Sequence, residues 1–378
     1  MASLYIHVPF CAKKCSYCDF VSFDNQNSRI REYFDVLAEE IRIASAMHKL
    51  HGVSTVFFGG GTPSFVDESH IVKTMETVRE YIGIEEGAEI TIEANPNSLI
   101  KEKLDVYLNS GINRLSMGLQ SADNRLLKQI GRLHTREMFE QAYADARKAG
   151  FANISLDLIY GLPGQTAEDF KDTLEYASGL APEHISAYSL TIEPGTPLHR
   201  DLLDGKITEA DEDSEREMYH TAVAYLKSKG WERYEISNFA KKGFESRHNL
   251  AYWNRLDYLG VGTAAHSCIR DIRFANTADL DGYISCLRTG NVAYNTNERL
   301  DAQQVETEYI MLKLRLQEGF ATEEYKTLFG RDFGTAFAAP LEKLAKAGLV
   351  KEEGGRIFPT DRGFDLQNTV VLELVNIL

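Results

Sequence analysis

Short apolar, β-branched runs recur along the first half of the chain, separated by longer stretches in which apolar residues return every three or four positions. The short runs predict strands at Leu4–Val8, Thr55–Phe58, Glu89–Glu93, Arg114–Met117, Asn153–Leu158 and His184–Ser189. The intervening stretches predict helices at Arg31–Met47, Ser69–Tyr81, Lys101–Ser110, Arg136–Lys148 and Ala167–Ser178. In the first of these, Tyr33, Leu37, Ile41 and Ala44 follow the spacing of one buried helix face. Strict alternation of strand and helix implies parallel strands joined by right-handed crossovers. Six such units before residue 190 fit an α/β partial (β/α)6 barrel better than a closed eight-fold one. In such a fold the loops at the C-terminal ends of the strands carry the chemistry.

Beyond residue 208 the pattern changes, dividing the chain into a barrel over 1–208, an extension over 209–301 and a tail over 302–378. The extension reads as a small α+β region: a helix over Ser214–Lys229, strand character over Trp231–Phe239, then an aromatic loop holding His248. The tail reads as helices over Glu306–Gln317, Thr322–Phe329 and Phe333–Ala347, then a hairpin around Glu353–Arg356, the order of a winged helix. Such a domain can set its second helix in the major groove of DNA. Here Asp301–Leu378 carries nine Lys/Arg against thirteen Asp/Glu, so a structural or substrate-covering role is expected instead.

Composition narrows the picture further. With 378 residues, 43% of them hydrophobic and 26% charged, the chain has the make-up of a soluble globular protein. No apolar run approaches the roughly 18 residues of a membrane span. The opening MASLYIHVPF lacks a basic stretch followed by a long apolar one, so no secretory signal is read and a cytoplasmic location is expected. A net charge of -15 argues against a general nucleic-acid binder, which needs excess Lys and Arg. Five cysteines do not make a disulfide framework in a chain this long. Cys268 and Cys286 stand alone and read as thiols of the packing, whereas Cys11, Cys15 and Cys18 crowd into the loop after the first strand.

Three thiolates on one short loop can ligate three irons of a cubane cluster, whereas full protein ligation takes four. The iron left over is open to a small chelating molecule. A zinc site with His7 as fourth ligand, or plain buried thiols, are alternatives that the spacing leaves open. The second strand then runs straight into Gly59-Gly60-Gly61-Thr62-Pro63, where absent side chains let backbone approach a ligand. No Gly-Lys-Ser/Thr follows, so a phosphate loop is not indicated. Glu93, Gln120 and Asp157 occupy or adjoin strand ends, and Arg132 lies in the next loop. Singly, each is explained by a solvated strand end or a paired rim charge. Together they make a ring of donors and acceptors that suits a zwitterionic nucleoside.

The spacing Cys11-Ala-Lys-Lys-Cys15-Ser-Tyr-Cys18 resembles the radical S-adenosylmethionine (SAM) superfamily. That resemblance implies a 4Fe–4S cluster whose open iron takes the amino and carboxylate groups of SAM. It also implies that one electron from the cluster cleaves the sulfonium. Tyr17, just before the third cysteine, would lie by the adenine, and Gly60, Gly61 and Thr62 would hold the methionine end. The wider set is similar to the oxygen-independent coproporphyrinogen III oxidase group, including GLPGQT at Gly161–Thr166 and the tail. By that resemblance Tyr5 would sit by the sulfonium, Arg132 would pair with the carboxylate, Gln120 and Asp157 would bond the ribose, and Glu93 would orient the methionine moiety.

Within that group two branches differ in function. The dehydrogenase branch, which decarboxylates coproporphyrinogen III oxidatively, carries a further cysteine two residues after the third and a long N-terminal extension. This chain has Phe20 at that position, and ten residues precede Cys11. Both departures resemble the heme-chaperone branch, as does His248-Asn-Leu-Ala-Tyr-Trp253. An imidazole can ligate heme iron, and Tyr252 and Trp253 can pack on a porphyrin face. The same residues also suit a core anchor and a turn cap. The resemblance implies heme as a third cofactor and acceptor hemoproteins as partners, membrane-bound respiratory subunits among them. Dehydrogenase activity is the alternative.

Overall fold

The computed structural model describes residues 2–376. Six strands carry the first half of the chain: β1 (Ala2–Val8), β2 (Val53–Gly60), β3 (Ile84–Ala94), β4 (Arg114–Gln120), β5 (Ile154–Tyr160) and β6 (His184–Ser189). They pair in chain order, every pair parallel. Helices α1 (Ile30–His48), α2 (Glu68–Tyr81), α3 (Lys101–Asn109), α4 (Asn124–Gln129), α5 (Arg136–Ala149) and α6 (Ala167–Gly179) make the crossovers, so the expected α/β barrel of six units is the observed one. Tyr33, Leu37, Ile41 and Ala44 are all buried on α1.

Alternation along the strands decides what the barrel encloses. One set of residues, including Leu4, Ile6, Val56, Phe58, Ile90, Ile92, Leu115 and Leu156, faces the helices and forms the main core. The other set faces the concave side, because successive strand residues point to opposite faces. It is mostly polar: Tyr5 and His7 on β1, Glu89, Thr91 and Glu93 on β3, Arg114 and Ser116 on β4, Asp157 on β5, His184 and Tyr188 on β6. The barrel interior is therefore a polar lumen, and the apolar core lies outside it.

The region 209–301 does not form a layer of its own. After α7 (Pro197–Leu203) and α8 (Glu212–Ser228), β7 (Glu232–Arg233) and β8 (Asn238–Ala240) extend the sheet beyond β6. Following α9 (Arg247–Trp253), β9 (Tyr258–Val261) pairs parallel to β1. Strands β10 (His266–Ile269), β11 (Ile272–Asn276) and β12 (Tyr294–Arg299) continue outward from it, and α10 (Leu280–Arg288) packs on α1. One open sheet of 12 strands results. The strands of this region extend the barrel sheet; they run two to six residues, and five of the six residues of β12 are exposed, leaving no apolar run to read.

The tail has its own core around Tyr309, Phe320, Tyr325, Phe333, Phe337 and Ile357. The helix expected over Phe333–Ala347 is broken at Phe337 into Phe333–Ala336 and Ala338–Lys346. The hairpin pairs Val350–Glu353 with Arg356–Pro359, and Gly354 and Gly355 supply the two positive φ angles, 59° and 73°, that a tight two-residue turn requires. Helices Asp361–Asp365 and Gln367–Val375 follow. Arg233 ties this unit to the barrel through Gln317 at 2.7 Å and Asp361 at 2.7 Å.

Candidate functional site

At the C-terminal ends of the barrel strands lies a cavity of about 650 Å³, and Cys11, Cys15 and Cys18 all line it. The loop bearing them is firmly seated. Cys11 N–H donates to Phe23 O at 3.0 Å, and Phe23 N–H to Pro9 O at 2.7 Å, closing the loop on its own base. Ser16 N–H donates to Ile130 O at 3.1 Å, and Leu198 N–H, from α7, donates to Ser16 O at 2.9 Å. Under the loop, the His7 ring bonds Val21 O at 2.8 Å on one side and the Tyr5 hydroxyl at 3.0 Å on the other. Burial drops the His7 pKa to about 4, so the ring is neutral.

The glycine run has a reason the sequence did not disclose. A Cβ on Gly60, whose φ is +108°, would stand 2.4 Å from the His7 ring; one on Gly61 would stand 2.9 Å from the backbone of Val8 and Phe10. The run brings β2 up against the cysteine loop, with Gly61 N–H on Val8 O and Thr62 N–H on Phe10 O, both 2.9 Å. It also lines the cavity, so both uses hold at once.

Donors converge on the sulfurs. The Thr62 hydroxyl donates to Cys11 Sγ at 3.5 Å, and Arg132 Nη1 to Cys15 Sγ at 3.7 Å. Burial raises the pKa of the Cys11 and Cys18 thiols, so a bound metal centre is what would draw them into the thiolate form. Among the described residues no three His, Cys, Asp or Glu side chains converge closely enough for a single ion. His7, the candidate fourth zinc ligand, is bonded to Val21 O and the Tyr5 hydroxyl. Three thiols of one loop, all lining one cavity, fit a multi-iron cluster that leaves one iron without a protein ligand.

The remaining wall is built for a mixed ligand. Glu93 accepts the Gly60 N–H at 3.1 Å, and Ser116 donates to Asp157 at 3.1 Å. Burial, then the nearby charge of Asp157, pushes the Glu93 pKa to about 8; Gly60 N–H and Arg114 pull it the other way. Burial also raises Asp157. Gln120 sits in the left-handed region at φ 65°, at an irregularity of the β4–β5 pairing, and its buried Oε1 has no partner. Arg132 spends Nη2 on Asn95 Oδ1 at 2.9 Å and Gly118 O at 3.0 Å, leaving Nε buried without a partner. A strained residue with an orphan acceptor beside an orphan cationic donor is how a site waiting for a polar ligand looks. Tyr17 adds an apolar flank, packing on Leu126, Ile130, Ile159 and Leu162.

Tyr17, Gly60, Gly61, Thr62, Glu93, Gln120, Arg132 and Asp157 line the cavity with the cysteines. Tyr5 does not line it; its hydroxyl is held beneath by His7 and its ring lies on Phe57. Asn95, Ser116, Ile159, Tyr188 and Leu190 line it without having been foreseen.

His248 lies apart from this cavity. It lies on α9, a helix rather than a loop, is 1% exposed and stacks on Phe57. Nδ1 bonds the Thr55 hydroxyl at 2.8 Å and Nε2 the Tyr252 hydroxyl at 2.9 Å. Thr55 precedes Gly60 by five residues on β2, roughly 16 Å at strand rise, so His248 plugs the far end of the lumen. The Glu89 carboxylate caps α9 by accepting the Arg247 and His248 N–H groups, each at 3.1 Å. Burial lowers the His248 pKa to about 3. Trp253 lies under the Arg315 guanidinium at 4.6 Å. In this conformation the His248 ring is committed at both nitrogens and serves packing and hydrogen bonding.

Comparison with known proteins agrees with this geometry. A profile of the radical SAM superfamily matches residues 5–177, and one of the HemN C-terminal domain matches residues 300–366. The protein named heme chaperone HemW from Bacillus subtilis is 36% identical over 98% of each chain. That of Lactococcus lactis is 34% identical over 97% of this chain and 96% of its own. The solved structure of coproporphyrinogen III oxidase (HemN) from Escherichia coli, described as a radical SAM enzyme, superposes with a TM-score of 0.87 at 26% identity. It covers all of this chain and 90% of its own.

Proposed function

The chain belongs to the radical SAM superfamily and, within it, to the HemW family, and from that premise we propose that it is a heme chaperone, binding heme on a cluster-bearing barrel and passing it to hemoproteins. The observation that carries this is end-to-end likeness to relatives named heme chaperones, joined to three thiols on one cavity. Cys11, Cys15 and Cys18 would hold a 4Fe–4S cluster. Tyr17, Gly60, Gly61, Thr62, Glu93, Gln120, Arg132 and Asp157 would hold SAM. Bound there, the two supply a one-electron donor and a sulfonium that can accept the electron.

The chain's own residues do the preparatory work. Thr62 and Arg132 direct donors at the sulfurs, and Arg132 keeps one further N–H free for a carboxylate. Gln120 offers an acceptor to a ribose hydroxyl, and the Tyr17 flank offers an apolar face to a base. The partners are heme and acceptor hemoproteins, membrane-bound respiratory subunits among them, and the working compartment is the cytoplasm. No helix of the described residues is long and apolar enough to cross a membrane.

Oxidative decarboxylation of coproporphyrinogen III is the second reading, favoured by the full-length match to HemN. Phe20, 69% exposed where that branch has a further cysteine, counts against it. Anaerobic protein with reconstituted cluster separates the two when offered heme, and separately coproporphyrinogen with reductant. The chaperone reading expects a stable Soret band and no protoporphyrinogen. Protoporphyrinogen formed in many turnovers overturns it.

A further inference from the structure

A threonine ahead of a helical turn ordinarily spends its hydroxyl on the first free N–H groups of that turn, a cap whose loss costs about 1 kcal/mol. Thr62 holds that position before the 3-10 turn Pro63–Phe65, yet its hydroxyl caps nothing. It donates to Cys11 Sγ instead, at 3.5 Å, and both residues are 8% exposed. The backbone fixes this arrangement on both sides. Thr62 N–H donates to Phe10 O, one residue before Cys11, and Phe65 N–H donates to Thr62 O, both at 2.9 Å. Beyond the turn, the buried Lys103 Nζ donates to Ser64 O and Val66 O, each at 2.7 Å. The hydroxyl therefore meets the sulfur with no hinge between them.

We propose that Thr62 is a positioning residue that acts through Cys11: its hydroxyl, donating to the ligand sulfur, raises the reduction potential of the 4Fe–4S cluster. This rests on the reading of Cys11, Cys15 and Cys18 as the cluster's ligands.

Reduction brings one electron from an external low-potential donor and no proton, so the cluster and its thiolates gain one negative charge. A hydroxyl aimed at a thiolate stabilises the more negative state more, and hydrogen bonds to the sulfurs are among the determinants of such potentials. Cys11 is the buried one of the three ligand cysteines, Cys15 and Cys18 being half-buried, so its donor acts at low local dielectric. The other hydroxyl beside Cys11, that of Ser22, is committed to Phe20 O at 3.2 Å, and Arg132 serves Cys15. Packing alone does not call for a hydroxyl at residue 62, since valine would fill the same space and keep the same backbone bonds.

The test is a redox titration followed by electron paramagnetic resonance, on reconstituted full-length protein without SAM. Omitting SAM keeps any contact of Thr62 with that ligand out of the measurement. The native chain is compared with Thr62→Val, Thr62→Ala, Thr62→Ser and Ser22→Ala. The valine and alanine variants should bind iron as the native chain does. Their reduction equilibrium constant should fall about three- to tenfold, a shift of about 30–60 mV to lower potential for one electron. Thr62→Ser, which keeps the donor, should hold the native potential, and Ser22→Ala should move the equilibrium by less than about twofold. Native potentials in valine and alanine, a serine variant displaced as far as valine, a Ser22→Ala shift as large as theirs, or iron lost from valine and alanine alike would each overturn the proposal. Native protein that assembles no cluster would sink the reading of the three cysteines instead.

Discussion

Substituting Gly60 by alanine should damage the cysteine loop through the ring of His7. Alanine must hold φ +108°, which costs about 1–2 kcal/mol for a residue with a Cβ. The new Cβ would stand 2.4 Å from His7 Cε1 and Nδ1, where carbon contacts settle near 3.5 Å or more. His7 cannot yield freely, being bonded at both nitrogens and 4% exposed. Overpacking of that kind costs about 1–3 kcal/mol, so Gly60→Ala should lose about 2–5 kcal/mol in all. Urea unfolding of the metal-free protein measures it, and iron bound after reconstitution should fall too, since His7 carries Val21 of the loop. In a double-mutant cycle His7→Ala should relieve the clash but not the backbone strain, giving a favourable coupling of about 1–3 kcal/mol. A Gly60→Ala variant within about 0.5 kcal/mol of native, or strict additivity in the cycle, would refute the steric argument.

Other consequences are equally open to measurement. Cys15→Ala should lose bound iron and the broad charge-transfer absorption of the cluster; unchanged iron content would remove Cys15 from the ligand set. Arg132→Ala should weaken SAM binding by about 10–100-fold in calorimetry while leaving iron content nearly intact, the range for losing a charge-assisted bond. Glu93 has its folded pKa raised from 4.5 to about 8, so its contribution is present in full below pH 4.5 and is lost as pH rises toward 8. Ligand-free native protein should therefore lose stability between pH 5 and 8 more steeply than Glu93→Gln, and parallel slopes would contradict the shift. His248→Ala should lower stability by about 1–3 kcal/mol by orphaning Thr55 and Tyr252, yet leave the Soret band of added heme in place; loss of that band from a folded variant would restore His248 as a ligand.

Much of the barrel was legible because its strands and helices have different hydrophobic periods and sufficient length. The cavity was legible where chemistry interrupted those periods: three cysteines in one loop, and Glu93, Gln120 and Asp157 where a core strand would carry aliphatics. Asn95, Ser116 and Tyr188 gave no such signal, since a small polar residue in a turn or a tyrosine in a strand is ordinary. Arg114 and His184 open two of the predicted strands, but nothing in the spacing says that they share one lumen. The direction of His248 was not legible, because adjacency to Tyr252 and Trp253 says nothing about it. A seven-residue helix aims its imidazole into the barrel, and that depends on Glu89, far away in sequence, capping its first turn. Strands β10–β12 were missed because short, partly exposed strands are defined by their neighbours.

The account stands on a cluster held by three cysteines with one iron left for SAM. Electron paramagnetic resonance of the reduced, reconstituted protein, recorded with and without SAM, addresses this directly. The expected result is about four irons per chain and a spectrum whose g-values shift when SAM is added, because the ligand joins the open iron. A cluster whose spectrum ignores saturating SAM would mean that iron already has its fourth ligand, and the reading of the cavity would fall.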